Sequence, residues 1–321
     1  MLPEWFFLAV VVVFGLIIGS FLNVVIYRFH TGRSLNDRSH CLSCGKSLHW
    51  YELFPVLSYL VLRGRCSKCS SFIPYRYALV EMLTAGAFVL AYLKAGDLVE
   101  LGLLLTILSF LIIGLVYDLY HMIIPDEVSY TAAALAAMLV GWESYLAGDW
   151  RLALDAAIGS AIVFTIFAAL WYFSKGRGFG FGDAKLAVSL GALVGLYGIS
   201  SFIILSFWIG AAVSLTIIAF QYIILNIIHD SPSGRRAPDT FPPVATVLPQ
   251  TYTLVLSIPF RFVHHFLLRI IRKTTGGKVW GRVSIKSEVP FAPFMVASFV
   301  LVYFFNVDVF TFIENIARWI S

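Results

Sequence analysis

The sequence predicts an all-α polytopic membrane protein of about eight transmembrane helices, with a small polar insert after the first helix. Of its 321 residues, 60% are hydrophobic and 13% are charged, and the mean hydropathy is +0.86. Soluble domains carry about 25% charged residues. The apolar residues fall in runs of about 20, the length that crosses a bilayer as a helix. Composition and run length together exclude an ordinary soluble domain.

Eight apolar runs are long enough to be membrane spans. They lie at roughly 5–28, 76–95, 98–117, 128–147, 152–173, 184–199, 201–226 and 291–313. The first run is not followed by a small-residue cleavage site, so we expect it to persist as a helix and not to be removed as a signal peptide. We find no internal repeat.

The basic residues predict the orientation in the membrane. Twenty of the 23 Lys and Arg residues lie in segments 28–76, 174–185 and 227–290, which eight spans place on one side. Because basic residues are retained in the cytoplasm, we expect these segments in the cytosol and both termini outside. Topology and contact with membrane lipid then account for the net charge of +5, and no nucleic-acid partner is predicted.

The chain divides into five predicted regions. They are the first helix (1–28), a segment with all four cysteines (29–75), a transmembrane core (76–226), a second insert (227–290) and the last helix (291–321). Within the second insert, residues 247–271 are apolar but also carry Arg and His. This mixture favours an amphipathic helix in the membrane interface over a ninth span.

The cysteines form two C-x-x-C pairs, Cys41 with Cys44 and Cys66 with Cys69. The spacing is typical of a structural zinc site, in which each pair supplies two thiolates to one tetrahedral ion. A cytosolic location argues against stable disulfides. The alternative is four unrelated reduced thiols. We therefore predict a small zinc-binding cytoplasmic insert.

Two acids lie at the ends of apolar runs. Asp118 ends the third predicted span, and Asp183 follows the glycine-aromatic stretch 178–182 and begins the sixth. Ionisable groups at a membrane segment are expensive and mark a functional site, and two close carboxylates can share acid and base roles. The spacing does not show that the two meet. Asp183 has the alternative reading of a helix N-cap, and so has Asp126 after Pro125.

Several motifs together resemble the type IV prepilin peptidases. They are residues 19–28 (GSFLNVVIYR), the two C-x-x-C pairs, 55–60 (PVLSYL), 62–66 (LRGRC), 76–81 (RYALVE), 118 with 124–126 (IPD), 180–183 (GFGD) and 289–294 (VPFAPF). The likeness covers about 1–226 and 288–313. Residues 52–55 read Glu-Leu-Phe-Pro, where that family commonly has an acid-Asn-Ile-Pro run.

The resemblance implies a bacterial inner-membrane aspartic peptidase of the Gly-x-Gly-Asp type with eight spans. Such enzymes cleave the basic leader of prepilins and pseudopilins, for type IV pili or type II secretion, at the cytoplasmic face. Many also N-methylate the new N-terminus with S-adenosylmethionine. Carried over by motif, the site comprises catalytic Asp118 and Asp183, supporting Gly180, Gly182 and Asp126, the metal ligands Cys41, Cys44, Cys66 and Cys69, and a methylation-associated cysteine segment with Glu81.

Three alternatives remain open from the sequence. The first is a protein that only cleaves and has a purely structural cysteine segment, in which Glu81 is a buried acid satisfied by Arg76 or by a loop. A preflagellin-type peptidase would not need the four-cysteine insert. An ion-coupled transporter would use the acids as proton or cation sites, but such carriers typically show inverted repeats and midplane sites. The oligomeric state is not predicted.

Overall fold

The computed structural model describes residues 3–31, 34–176, 179–229, 290–311 and 314. The long helices are α1 (Glu4–Arg28), α3 (Arg76–Lys94), α4 (Leu98–His121), α5 (Asp126–Ala147), α6 (Arg151–Ser174), α7 (Phe181–His229) and α8 (Ala292–Phe305). Between α1 and α3 lie a 3-10 turn, Trp50–Leu53, and the short helix α2, Leu57–Val61. The predicted all-α architecture is confirmed.

Five described helices are long and apolar enough to cross a membrane: α1, α3, α4, α6 and the Phe181–Ile217 part of α7. Helix α8 is apolar but shorter. Helix α7 is interrupted at Gly195, whose φ of +66° and ψ of 176° are not helical. The break falls within the sixth predicted span (184–199), four residues before its predicted end. The chain is thus a multi-pass membrane protein, and the count of eight spans stays a prediction.

The chain divides into two compact units, residues 1–207 with 290–321, and residues 208–289. The packing described below lies within the first. The amphipathic helix predicted at 247–271 lies outside the described residues.

Helices α1 and α3 touch through two glycines. A Cβ at Gly15 would lie 2.6 Å from Ala85 Cα, and a Cβ at Gly19 would lie 2.6 Å from Glu81 Cα. Neither position has room for a side chain. Small residues four positions apart allow the backbones of two membrane helices to come into contact. In lipid the hydrophobic effect does not drive helices together, so van der Waals packing of this kind stabilises the pair.

We therefore expect Gly19→Ala to destabilise the α1–α3 pair. The added methyl group forces the helices apart, and such overpacking costs about 1–3 kcal/mol, equivalent to about 2–10 °C in the unfolding midpoint. Gly86→Ala is the matched control, because nothing lies within 4 Å of a Cβ built there. Thermal unfolding of both variants in detergent measures the effect. Equal midpoints for the two would contradict the close-approach account.

The core is built by α4 to α8 and holds fully buried Leu104, Leu139, Phe167, Leu190 and Phe299. Polar side chains join the helices at depth. Ser160 Oγ donates to the Val188 carbonyl at 3.0 Å, and Ser298 Oγ donates to the Phe202 carbonyl at 2.7 Å. The core thereby fixes α7 and α8 against their neighbours, and both of these helices begin at the site described next.

Candidate active site and cysteine cluster

The two predicted acids lie at the same end of the bundle on different helices. Asp118 is in the last turn of α4 and Asp183 in the first turn of α7. Although both are acids, they are only 5% and 7% exposed. They are close enough for their charges to interact. The structure thus brings together two residues that the sequence could place only at a similar depth.

Each carboxylate accepts one backbone hydrogen bond. Gly180 N donates to Asp183 Oδ2 at 3.2 Å, and Ala292 N donates to Asp118 Oδ2 at 3.3 Å. Asp183 is the third residue of α7. Its carboxylate accepts a hydrogen bond from the backbone N–H of Gly180, the residue just before the helix, as the third residue of a capping box does. The capping alternative and the functional reading therefore apply to the same side chain.

Position 182 favours glycine because a side chain there would crowd its neighbours, and not because of its backbone conformation. A Cβ there would lie 3.2 Å from Ile124 Cβ, tighter than most real contacts. Ile124 is itself buried in the turn between α4 and α5. The turn follows Met122, a left-handed residue (φ +55°) that ends α4. Gly182 therefore lets the start of α7 pack against the turn that follows Asp118.

Asp126 is outside the buried pair. Its side chain is 57% exposed, and its Oδ1 forms an ion pair with Lys185 Nζ at a distance of 2.7 Å. The same ammonium lies 5.1 Å from the Phe181 ring centroid and 5.4 Å from that of Tyr130. Asp126 thus links the start of α5 to the start of α7, which agrees with a supporting role.

A cluster of phenylalanines lies next to the two backbone donors of the acids. The Phe179 and Phe291 rings are 5.1 Å apart, and both contact Phe167 and Phe207. Each of the first two immediately precedes a backbone donor, Gly180 or Ala292, to one of the carboxylates. Ring packing therefore holds both donors in place. The only sequence signal is that each Phe adjoins a motif residue.

The four cysteines converge as predicted. Their sulfur atoms all lie within 4.8 Å of one another, and Cys41 Sγ is 3.8 Å from Cys69 Sγ. Four thiolates about 2.3 Å from a tetrahedral zinc ion are about 3.8 Å apart. The donor set therefore fits a structural zinc site. Backbone N–H groups of Cys44 and Ser43 lower the pKa of the Cys41 thiol to about 6, which favours the thiolate that metal binding requires.

The two C-x-x-C turns have the same backbone pattern. Cys41 N donates to the Lys46 carbonyl, and Cys66 N donates to the Ser71 carbonyl. A second bond in each turn runs back to the first cysteine carbonyl, from Gly45 N and from Ser70 N. Gly45 and Ser70 both have positive φ, +68° and +55°. The segment is thus two equivalent knuckles facing one another.

Glu52 joins the two knuckles, a role the sequence reading missed. Its buried carboxylate accepts from Lys46 Nζ of the first knuckle at 2.9 Å and from Ser67 Oγ of the second, and also from His49 N. The His49 N–H, then Ser67 and Lys46, lower the pKa of Glu52 to about 2. The available signal was the acid in the Glu-Leu-Phe-Pro run, noted only as a departure from the family pattern.

We expect Glu52→Gln to loosen the cysteine cluster, because Lys46 loses its charged partner. Zinc release to a chelator should be about tenfold faster than in wild type, as for loss of a group supporting the ligands. The pKa of Glu52 is depressed, so its contribution to stability is fully present above about pH 4.5 and is lost as pH falls toward 2. The control is Glu4→Gln, at the exposed start of α1. Equal release rates in both would contradict the joining role.

Arg28 anchors the start of the cysteine segment. It is buried at the end of α1 and donates to the carbonyls of Ser34, Leu35 and Asp37 at 2.7, 3.0 and 2.8 Å. From the sequence, Arg28 counts as a topology signal and as the last residue of the 19–28 motif, with no structural role predicted. Its guanidinium instead folds the chain back onto the helix it leaves.

Glu81 is buried on α3 and accepts from Val56 N at 2.7 Å. Arg76 does not pair with it and lies instead over the rings of Tyr77 and Tyr120. The sequence left Arg76 or a loop as the partner of a structural Glu81, and in the structure the partner is the loop at Val56. The carboxylate also lines a cavity of about 280 Å³ between the cysteine segment and the ends of α1 and α3.

The fold and the two sites define a helical membrane protein with a buried carboxylate pair and a separate four-thiol cluster. Residues 13–95 match the bacterial peptidase A24 N-terminal domain, and residues 105–215 match the type IV leader peptidase family. The chain belongs to this family.

Relatives named prepilin leader peptidase/N-methyltransferase support the assignment. One from Myxococcus xanthus is 35% identical, with the match covering 60% of this chain and 58% of the relative. One from Burkholderia pseudomallei is 32% identical, with the match covering 67% of this chain and 77% of the relative. One from Bacillus subtilis is 31% identical, with the match covering 64% of this chain and 80% of the relative. No solved structure matches the chain.

Proposed function

We propose that the protein is an aspartic endopeptidase that removes the basic leader of prepilins or pseudopilins and then N-methylates the new N-terminus. The observation that carries the proposal is the convergence of Asp118 and Asp183, two buried acids on different helices, in a chain of this family. The name of the relatives, prepilin leader peptidase/N-methyltransferase, supplies the substrate class and the second activity.

The acid pair accounts for the cleavage step. In this mechanism the two buried carboxylates share one proton, because burial makes it costly for both to be ionised. The ionised carboxylate takes a proton from water, whose oxygen attacks the scissile carbonyl, while the protonated partner donates to the carbonyl oxygen and then to the leaving amine. The bonds from Gly180 N and Ala292 N hold the carboxylates in place during the exchange.

The methylation step uses the amine that cleavage releases. S-adenosylmethionine, when bound, would supply a methyl group to that amine, which would lose a proton as the donor leaves as a neutral thioether. Cys41, Cys44, Cys66 and Cys69 would hold zinc, which would supply a structural cross-link for the cysteine segment.

Both sites belong at the cytoplasmic face of the bacterial inner membrane under this proposal. They lie at one end of the bundle, since the Phe29 ring at the end of α1 is 5.6 Å from the Tyr117 ring beside Asp118. In the described part of the chain, most Lys and Arg residues lie in the two segments at that end, 28–76 and 174–185, and such residues are retained in the cytoplasm. A leader with basic residues would remain there, with its apolar helix in lipid.

A cleavage assay in lipid tests the proposal. Purified protein is mixed with a substrate that has a basic leader followed by Gly, Phe and an apolar helix, and intact mass is read with and without S-adenosylmethionine. We expect loss of the leader, and a gain of one methyl group only with the donor. Leader loss without methylation would favour a peptidase with a structural cysteine segment. No cleavage by folded protein, with proton-coupled uptake in vesicles, would favour the transporter.

A further inference from the structure

An apolar surface lies on the outside of the cysteine segment, on the 3-10 turn and on helix α2. We call it the α2 surface, and its residues, each between 49% and 75% exposed, are Trp50, Phe54, Leu57, Leu60 and Val61. Leu57, Leu60 and Val61 are spaced i, i+3 and i+4, so they share one face of α2. The Trp50 and Phe54 rings, whose centroids are 6.0 Å apart, belong to the adjoining turn. Five large apolar side chains are thus exposed on a segment outside the predicted spans.

Helix α2 directs its two polar side chains inward. Ser58 and Tyr59 line the cavity of about 280 Å³ beside Glu81, whereas Leu57, Leu60 and Val61 are exposed. A helix on a surface that faces water shows the opposite pattern, with its apolar stripe against the protein and its polar face outside. The arrangement of α2 therefore fits an apolar surrounding better than water.

A hydrogen bond fixes the level of α2 along the membrane helices. Val56, the residue before α2, donates from its backbone N to Glu81 Oε2 at 2.7 Å. Glu81 is the sixth residue of α3, so its Cα lies about 7.5 Å along the helix axis from the first residue, Arg76. Amphipathic helices in a membrane interface insert their apolar face about 5–10 Å into the boundary between headgroups and acyl chains. Helix α2 thus begins at the level of an interfacial helix.

The α3 helix has a lipid-facing surface at this same level. Leu79, Met82 and Leu83, close to Glu81 in the chain, are exposed on a helix long and apolar enough to cross a membrane. Exposed apolar side chains of a membrane span contact acyl chains, because hydrocarbon and not water surrounds the helix. The α2 surface is therefore level with side chains that are already in lipid.

The cysteine segment is basic around the α2 surface. The charged residues of 34–75 are five basic ones, Arg38, Lys46, Arg63, Arg65 and Lys68, and two acids, Asp37 and Glu52. Arg63 and Arg65 closely follow α2 and are exposed, and none of the ion pairs in the described part of the chain includes either. Exposed cations next to an apolar interfacial face attract anionic lipid headgroups. Charge and apolar face thus fit the same occupant.

We propose that the α2 surface inserts into the lipid bilayer, with Arg63 and Arg65 at anionic headgroups, so that the cysteine segment is held against the membrane. The occupant of this surface is lipid and not a second protein. The proposal uses the membrane class of the chain and does not depend on cleavage or methylation. Insertion at this point holds the Val56 loop, and with it the bond to Glu81, level with the α1–α3 pair.

Spin labels at three positions test the insertion. The full chain, loaded with zinc, carries a nitroxide on Leu60→Cys, Met82→Cys or Lys175→Cys and is placed in vesicles of phosphatidylcholine and phosphatidylglycerol. Collisions of the nitroxide with oxygen, which concentrates in lipid, are compared with collisions with a nickel chelate, which stays in water. Wild type taken through the same labelling gives the background of the four native cysteines.

We expect position 60 to behave like the lipid control and unlike the water control. Met82 is exposed on the membrane span α3, and Lys175 is exposed just after α6. A nickel-rich ratio at position 60 would place the α2 surface in water and overturn the proposal. Few collisions with either reagent would mean that protein covers it, such as a second copy, residues 208–289 or a bound substrate, and would overturn it as well.

Lipid charge tests the role of the two arginines. In vesicles of phosphatidylcholine alone, the oxygen-to-nickel ratio at position 60 should fall toward that of position 175. Arg63→Gln combined with Arg65→Gln should remove this dependence on phosphatidylglycerol, because the cations that attract anionic headgroups are gone. A ratio that ignores lipid charge in the otherwise unchanged chain would overturn the headgroup contact.

Trp50 provides a second measurement if Leu60→Cys does not insert or does not hold zinc. The fluorescence that is lost in Trp50→Phe belongs to Trp50. Brominated lipid should quench most of this component, whereas iodide in the aqueous phase should quench little of it. Quenching by iodide and not by brominated lipid would overturn the insertion of the α2 surface.

Discussion

Asp183→Asn is expected to lower leader cleavage by at least about 100-fold, the usual contribution of a general acid or base. An asparagine oxygen can still accept from Gly180 N, as Asp183 Oδ2 does at 3.2 Å. The cap on α7 therefore survives, while the proton exchange with Asp118 is lost. Asp118→Asn should have the same effect, because its amide oxygen can still accept from Ala292 N.

Initial rates of leader removal, measured in lipid by intact mass, test both variants. The matched control is Asp155→Asn, an acid near the start of α6. It should keep wild-type activity within about threefold. Thermal unfolding midpoints show that each variant is folded. Near-normal cleavage by either Asp118→Asn or Asp183→Asn would refute the acid-pair mechanism.

Cys66→Ser is expected to remove bound zinc and to uncouple the two activities. Cys66 is the most buried of the four cysteines, and its loss leaves three thiolates and an open metal position. Structural zinc contributes folding energy directly, so the knuckles should come apart. Methylation should then fall by at least about tenfold, whereas the acid pair is held by α4, α7 and α8 and should still cleave.

Metal analysis and the two activity readouts on one preparation test this expectation. Wild type should hold about one zinc ion per chain, and Cys66→Ser should hold less than about 0.2. Ser43→Ala, an exposed change within the first knuckle that keeps the backbone donors, should retain its zinc. Wild type with four free thiols and no metal would remove the zinc assignment. Equal loss of both activities in Cys66→Ser would show that the acid pair depends on the cysteine segment.

The helices could be predicted because their signal is local. Runs of apolar residues about 20 long have few alternatives to a membrane helix, and the predicted spans at 5–28, 76–95 and 152–173 agree with α1, α3 and α6 to within a residue or two. The cysteine spacing was equally informative, since two C-x-x-C turns can place four thiols on one ion only by facing one another. The region boundaries and the 227–290 insert stay predictions.

The roles of charged residues were harder to predict, because they depend on partners distant in the chain. Glu52 was noted only as part of a departure from a motif, yet it bonds Lys46 and Ser67 from opposite knuckles. Arg28 was counted as a topology signal, yet its guanidinium is buried against carbonyls. Nothing in a one-dimensional pattern distinguishes a solvated charge from one enclosed by its own backbone.

The sequence by itself determined the membrane class, the helices and the grouping of the four cysteines, because hydropathy and cysteine spacing are local properties. Only the tertiary structure decided that Asp118 and Asp183 are both buried at the same end of the bundle, since this depends on α7 packing against the turn after α4 through Gly182 and Ile124. It also decided that Glu81 faces a cavity and not Arg76, because that choice depends on the close α1–α3 contact and on the loop at Val56.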